Sequence, residues 1–185
     1  MRSVVKMWAV IDLETTGLNP FTDQIVAIGT WFENFSGPFV MTAENEEAEG
    51  DMLEHFWHSM KNVDLLVGFN IDFDWQFLKL RSLKHGIKIK YFSRARDARY
   101  RRIDIRRILN PDRYAKGRLK DYAIFLGIEF EDETNGYDVP ELFAQGNFDE
   151  IAKHCSSDVE LTYKIWKRLL ECGLVEVGVG ESESG

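Results

Sequence analysis

The sequence predicts an α/β layered fold, a mixed five-stranded sheet flanked by helices, and three observations carry that prediction. Short apolar or alternating runs crowd the first 42 residues with only turns between them. Two further short strands then alternate with segments of helical period, and a long amphipathic segment closes the chain. A meander followed by helix–strand–helix–strand units places some neighbours antiparallel and others parallel in one sheet.

The first strand covers Val4–Glu14, an apolar run broken only by Lys6 before its acidic end. After an Asn19-Pro20 turn, Gln24–Glu33 reads as a second strand and Phe35–Thr42 as a third, with Ser36-Gly37 as the hairpin turn. Residues 43–50 read as an acidic loop. Met52, Leu53, Phe56, Trp57 and Met60 then recur at helical spacing, giving a helix over Asp51–Asn62 on which His55 and His58 are surface residues and not ligands. Asp64–Phe69 is a short strand. The next helix opens at Asn70–Asp72, buries Phe73, Phe77 and Leu80, and ends at Gly86. Arg102–Ile105 is the fifth strand. Leu119, Tyr122, Ala123 and Leu126 mark a short helix stopped by Gly127, and Glu129–Val139 is an acidic loop with an Asn135-Gly136 turn. The last helix runs from an Asp149 N-cap to Glu171. Residues 1–176 form a single domain, and the Gly-, Ser- and Glu-rich tail over 177–185 is too polar to pack.

A chain of 185 residues, 44% of them hydrophobic, can bury a sizeable core. No stretch is long and apolar enough for a membrane span or a signal peptide. Cys155 and Cys172 fall 17 positions apart on one helix, where they cannot bridge, so a reducing, cytoplasmic setting is expected. The net charge of −8 hides a segregation: Lys79–Lys120 holds 16 basic residues against three acids. A basic stretch set into an acidic body points to a polyanionic partner.

Chemistry concentrates in three places. Asp12 and Glu14 project to the same face at the end of the first strand, since alternate strand residues share a face. Paired carboxylates repel unless a cation sits between them, and such hard oxygen donors suit Mg²⁺ or Mn²⁺. Asp74 lies in the first helical turn after the fourth strand. It reaches the same sheet end if the first and fourth strands are parallel neighbours, with Asp72 a competing acid that as N-cap already has a structural task. The terminal helix turns a stripe of Ile151, Cys155, Asp158, Thr162, Ile165 and Leu169 inward, so Asp158 occupies a core slot where a carboxylate needs a partner or a metal. His154 is one turn away on nearly the same face.

Asp12-Leu13-Glu14-Thr15-Thr16-Gly17, Asn70-Ile71-Asp72-Phe73-Asp74 and His154-Cys155-Ser156-Ser157-Asp158 together resemble the three motifs of the DEDD superfamily of 3′→5′ exonucleases. The stretch Leu66–Arg81 looks most like the exonuclease domain of family B DNA polymerases. The last motif departs from both known branches, one with Tyr-x₃-Asp and the other with His-x₄-Asp. Here the residue type of the second stands at the spacing of the first, and the flanking residues assign His154 to the tyrosine position.

The resemblance implies a ribonuclease-H-like fold and metal-dependent hydrolysis of phosphodiester bonds at 3′ ends of single-stranded DNA, releasing nucleoside 5′-monophosphates. It implies two ions of Mg²⁺ or Mn²⁺ held by Asp12, Glu14, Asp74 and Asp158, with Asp12 bridging, and His154 either orienting the attacking water or accepting its proton. Thr15, Thr16 and Leu18 would meet the terminal nucleotide, and Asn70 and Phe73 its neighbour. Tyr91, Phe92, Tyr100 and Tyr114 in the basic segment are available for base stacking, with core packing the alternative for Phe92. A polymerase or another replication or repair protein is a possible partner. The competing readings are an RNA-trimming exonuclease of the same superfamily and a non-catalytic nucleic-acid-binding module.

Overall fold

The computed structural model describes residues 7–89, 102–112 and 117–177. Strand residues 4–6, Tyr91, Phe92, Tyr100, Arg101, Tyr114 and the tail from 178 onward lie outside them. Five strands, β1 (Trp8–Thr15), β2 (Ile25–Phe32), β3 (Phe39–Thr42), β4 (Leu65–Gly68) and β5 (Arg102–Asp104), form one sheet in the order β3-β2-β1-β4-β5. The pairs β1–β2 and β2–β3 are antiparallel, whereas β1–β4 and β4–β5 are parallel. The sheet is therefore mixed and five-stranded, as expected, and β1 and β4 run side by side in the same direction.

Alternation along β1 sorts its side chains between two cores. Ala9, Ile11 and Leu13 pack with Leu53, Phe56 and Trp57 of α1 (Glu46–Ser59) and with Trp75, Phe77 and Leu78 of α2 (Ile71–Lys84). Trp8 and Val10 face the opposite way, toward Val159, Ile165 and Trp166 of the terminal helix, Ala123 of α4 (Leu119–Phe125) and Ile105, which opens α3 (Ile105–Leu109). The remaining helices are α5 (Val139–Ala144) and α6 (Phe148–Glu171). By the same parity Asp12 and Glu14 belong to the α6 side of the sheet.

Gly29 on β2, paired with Asp12 across the ladder, lets α6 come close. A Cβ there would stand 2.5 Å from Val159 Cγ2 and 2.8 Å from Cys155 Sγ, so no side chain fits without displacing the helix. The absence of that one side chain brings the motif face of α6 down onto the acidic end of β1.

Several boundaries differ from the sequence expectation. The segment over residues 46–50, read as loop, is the first turn of α1: Asn45 caps it by accepting the Ala48 N–H at 3.0 Å, and Glu46, Glu47 and Glu49 lie where the helix dipole favours acids. The residue capping α2 is Asn70, in a left-handed conformation at φ 64°, and Asp72 sits inside the helix. Asn147 and not Asp149 precedes α6. On α2, Phe77 is buried as expected, but Phe73 and Leu80 are only half-buried and Trp75 and Leu78 carry the packing. β3 begins at Phe39, and exposed Phe35 belongs to the connection, its carbonyl accepting the Trp31 indole N–H. Helix α5 follows directly on the acidic loop, where the sequence pattern marks no element. His55 and His58 are exposed, as read.

Glu49, fully buried, holds α1, β2 and α2 together. Its Oε1 accepts the Ile25 N–H and Arg81 Nε, both at 2.8 Å, and Oε2 lies 2.9 Å from His85 Nε2. Removing one partner of a buried ion pair leaves the other charge uncompensated, at a cost of about 3–5 kcal/mol. Glu49→Ala is therefore expected to lower unfolding stability by that order in urea melts, and a loss below about 1 kcal/mol would show that the Arg81 guanidinium finds other partners.

Candidate active site

On the α6 face of β1 the apolar residues stop at Val10, and Asp12 and Glu14 take the next two positions, while the parallel neighbour β4 delivers the start of α2 to the same sheet end. Asn70 is exposed and its backbone N–H donates to Asp104 Oδ1 at 2.9 Å. The same oxygen caps α3 by accepting the Arg106 N–H at 3.0 Å. Asp104 thereby fixes the first turn of α2, and from that turn Asp74 reaches under β1, where its Oδ1 accepts the Leu13 N–H at 3.0 Å. Asp158 arrives from α6, and its Oδ1 is buried without a hydrogen-bond partner.

The four carboxylates share one electrostatic environment. Burial pushes Asp12 well above the usual carboxylate range, and the charges of Glu14, Asp74 and Asp158 push it further. Glu14 is raised well above its ordinary value by burial first and then by Asp158, Asp74 and Asp132. Asp74 is pushed up to about 7 by burial, partly offset by the backbone N–H groups it accepts. Asp158 is raised by burial, with His154 and Lys120 opposing. Acids crowded this way, one with an orphaned oxygen, are the donor set that a divalent cation relieves. Glu14, His154 and Asp158 can place one ligand atom each within 4.8 Å of one another, as can Asp12, Glu14 and Cys155. Cys155 is a poor ligand in this setting. Burial and the neighbouring acids raise its thiol well above its usual value, and Sγ contacts the Asp12 carbonyl at 3.8 Å.

His154 lies deeper than Asp158: it is 2% exposed, whereas Asp158 lies at the margin of the helix's buried stripe. The His154 Nε2 is 3.5 Å from Glu14 Oε1, and Nδ1 is 2.7 Å from Asp132 Oδ2. Asp132 is a neighbour that no spacing in the sequence announced: it stands among Glu129, Glu131 and Glu133 in the acidic loop. Its Oδ2 also receives Lys120 Nζ at 3.0 Å. Burial alone would raise Asp132, but the hydrogen bonds from His154 and Lys120 outweigh it and hold the carboxyl below its ordinary range.

The residues expected to meet substrate are distributed around this cluster. The Thr15 hydroxyl donates to the Gly17 carbonyl at 2.6 Å and the Thr16 hydroxyl accepts the Gln24 N–H at 3.0 Å, so both brace the turn after β1. Leu18 is 75% exposed on that turn, and Phe73 packs against Phe77 with ring centroids 4.9 Å apart. Part of the basic segment is committed internally. Arg107 reaches Asp72 at 2.7 Å, and Arg102 pairs with Asp72 at 3.4 Å while lying 4.7 Å over the Trp75 ring. Those two arginines tie β5 and α3 to α2, which removes them from a wholly substrate-facing role.

Comparison with known proteins gives this arrangement a family. A family model described as RNase_H superfamily matches residues 9–170. The chain belongs to the RNase_H superfamily. An uncharacterised protein of Methanocaldococcus jannaschii, MJ0365, is 42% identical over 183 residues, covering 91% of this chain and 98% of its own. Among solved structures, the family B DNA polymerase of Pyrobaculum calidifontis matches with a TM-score of 0.69 at 18% identity over 91% of this chain. A moderately thermophilic exonuclease I from Methylocaldum szegediense matches at 0.61 and 15%, over 90% of this chain, and E. coli exonuclease I in complex with a dT13 oligonucleotide at 0.56 and 16%, over 89%. The chain spans 25%, 40% and 41% of those three structures' chains. The ribonuclease-H-like fold and the resemblance to DEDD-type exonucleases hold, and membership of the superfamily supports a nuclease. Among the described residues, no helix is long and apolar enough to cross a membrane.

The raised carboxylates make a prediction for the metal-free protein. Unfolded, Asp74 ionises near pH 4; folded, it keeps its proton up to about 7, so the native state binds the extra proton and loses stability as pH rises between those values. In EDTA, Asp74→Asn is expected to gain on the wild type steadily over that window, with the amide oxygen still accepting the Leu13 N–H. Urea midpoints that stay parallel from pH 4 to 7 would contradict it.

Proposed function

We propose that the protein is a metal-dependent 3′→5′ exonuclease acting on single-stranded DNA ends and releasing nucleoside 5′-monophosphates. The observation that carries the reading is the convergence of Asp12, Glu14, Asp74 and Asp158 at one sheet end, with a buried His154 whose Nε2 faces Glu14. The exonuclease I and polymerase folds resembled by the chain support the reaction class, and the oligonucleotide bound to one of them supports a single strand as substrate.

Asp12, Glu14, Asp74 and Asp158 would hold two Mg²⁺ or Mn²⁺ ions. When bound, such ions neutralise phosphate charge and make water at the site more acidic. The protein's own groups do the rest. His154 takes the proton of the attacking water at Nε2, or orients that water, as the water oxygen bonds to phosphorus. The P–O3′ bond breaks with its electron pair going to O3′, which is protonated from solvent. Exposed Leu18 and the backbone around Thr15 and Thr16 meet the terminal nucleotide, and Asn70 and Phe73 the one before it. The basic segment contributes phosphate contacts through residues other than the Arg102 and Arg107 pairs.

Asp12→Ala is expected to abolish hydrolysis of end-labelled oligonucleotides in Mg²⁺ and in Mn²⁺ while raising the melting temperature in EDTA, because like-charge crowding falls. Retention of more than a few per cent of wild-type turnover, a level set by the large share of the barrier assigned to bound metal, would refute the reading. Running DNA and RNA substrates in parallel decides between DNA and RNA trimming. Inactivity on both favours a binding module.

The role of His154 is tested separately. His154→Ala should lose roughly 10²-fold or more in kcat, the contribution of a positioned proton acceptor. His154→Tyr should recover part of that loss if the residue mainly orients water and none if it must take the proton.

A further inference from the structure

His154 alone cannot specify which of its nitrogens faces the reacting centre. A neutral imidazole carries its hydrogen on either nitrogen, and a ring flip exchanges their positions. The surroundings of Nδ1 remove that freedom. Asp132 Oδ2 lies 2.7 Å away and also receives Lys120 Nζ at 3.0 Å. Asp132 Oδ1 accepts the Thr134 N–H at 3.1 Å, and Lys120 donates as well to the Thr134 carbonyl. A carboxylate bound by an ammonium and a backbone N–H has only acceptor capacity left for the ring, so Nδ1 must carry the hydrogen. The lone pair is then on Nε2, on the side where Glu14 Oε1 lies at 3.5 Å.

A purely structural role would be simpler to fill with apolar side chains. Asp132 is 6% exposed and His154 2%, and burying a carboxylate against an imidazole brings a desolvation cost that a hydrophobic pair at the same place avoids. Tying the acidic loop to α4 needs only Lys120, Asp132 and Thr134. The bond to His154 is additional to that task.

We propose that Asp132 is a positioning residue for the reaction: held by Lys120, it fixes His154 as the Nδ1–H tautomer and aims the Nε2 lone pair into the carboxylate cluster. The inference rests on the exonuclease reading, in which Nε2 meets the attacking water. Asp132 stays ionised throughout and takes no proton itself. Asp132→Asn keeps the shape but lets the side-chain amide donate to Nδ1, which moves the hydrogen to Nε2 and turns an acceptor into a donor.

The test combines a spectrum with kinetics. ¹⁵N-histidine NMR of the wild type through a pH series, with and without Mg²⁺, reads the tautomer directly, and His154→Gln assigns its signals among the four histidines. The expected neutral form is Nδ1–H, shifting toward Nε2–H in Asp132→Asn. The same substitution should lower kcat about 10²-fold, leave KM unchanged and retain Mg²⁺ binding by calorimetry. In a His154→Ala background it should cost nothing further, since a residue acting through another is non-additive with it. An active wild type with Nε2–H, or an Asp132→Asn loss of equal size in both backgrounds, overturns the proposal and leaves the exonuclease reading standing. A wild type inactive on every DNA and RNA oligonucleotide overturns both. The wild-type spectrum decides the tautomer even if Asp132→Asn does not fold.

Discussion

Mutual repulsion among carboxylates is the constraint around which this fold is arranged. Asp12, Glu14, Asp74 and Asp158 each carry a penalty from burial; the charges of Asp74 and Asp158 add to it at Asp12 and Glu14, Asp104 adds to it at Asp74, and Asp132 at Asp158. Left to side-chain freedom they would separate. They do not, because each is fixed by backbone that has other reasons to be where it is. Asp12 and Glu14 are locked by the β1–β2 ladder, and Asp74 is anchored on the Leu13 N–H. Asp158 is carried by a helix whose approach is set by bare backbone at Gly29. The hydrophobic cores on both faces of the sheet supply the energy that holds the acids together, so stability is committed to the site in advance of any ligand.

The bracing extends away from the site. Asp104 ties the starts of α2 and α3 with a single oxygen, and Asp72 holds Arg102 and Arg107. On the other face, Glu49 joins α1, β2 and α2 in one buried network. These ion pairs sit at junctions between elements, where a displacement of about an ångström would be felt at the carboxylates. They commit part of the basic segment to the fold itself, so charge count alone overstates the basic surface left for a partner.

The sequence made the sheet, its mixed sense and the four acids legible for identifiable reasons. β1 is legible as a continuous apolar run because both its faces are buried, and its parallel pairing with β4 follows from the helix between β3 and β4. An Asp in the helical slot of Asp158 stands out against its apolar stripe. Residues that act through non-local contacts left no such trace. Glu49 and Asp132 are both buried acids drawn from stretches that read as acidic loops, and nothing in their local sequence separates them from Glu47 or Glu131. The acidic stretch before Asp51 reads as loop, whereas the Asn45 cap and the burial of Glu49 make residues 46–50 the first turn of α1. His154 is legible from its motif position but its depth is not, because the helical period assigns the core slot to Asp158.

The histidine at a tyrosine's spacing changes what the surrounding loop must provide. A phenol has one oxygen, which both donates and accepts, and it needs no partner to define its chemistry. An imidazole has two inequivalent nitrogens, and only one neutral form presents a lone pair toward the carboxylate cluster. Replacing tyrosine by histidine on the same helix face therefore creates a requirement for a fixed acceptor on the far side of the ring. In this chain the loop before α5 places such an acceptor there: Asp132, which His154 and Lys120 together hold below the ordinary carboxylate range. The unusual motif spacing and the buried Asp132 are in this sense one feature: a ring without the loop would lack a defined orientation, and a buried carboxylate without the ring would lack one of the bonds that offset its desolvation.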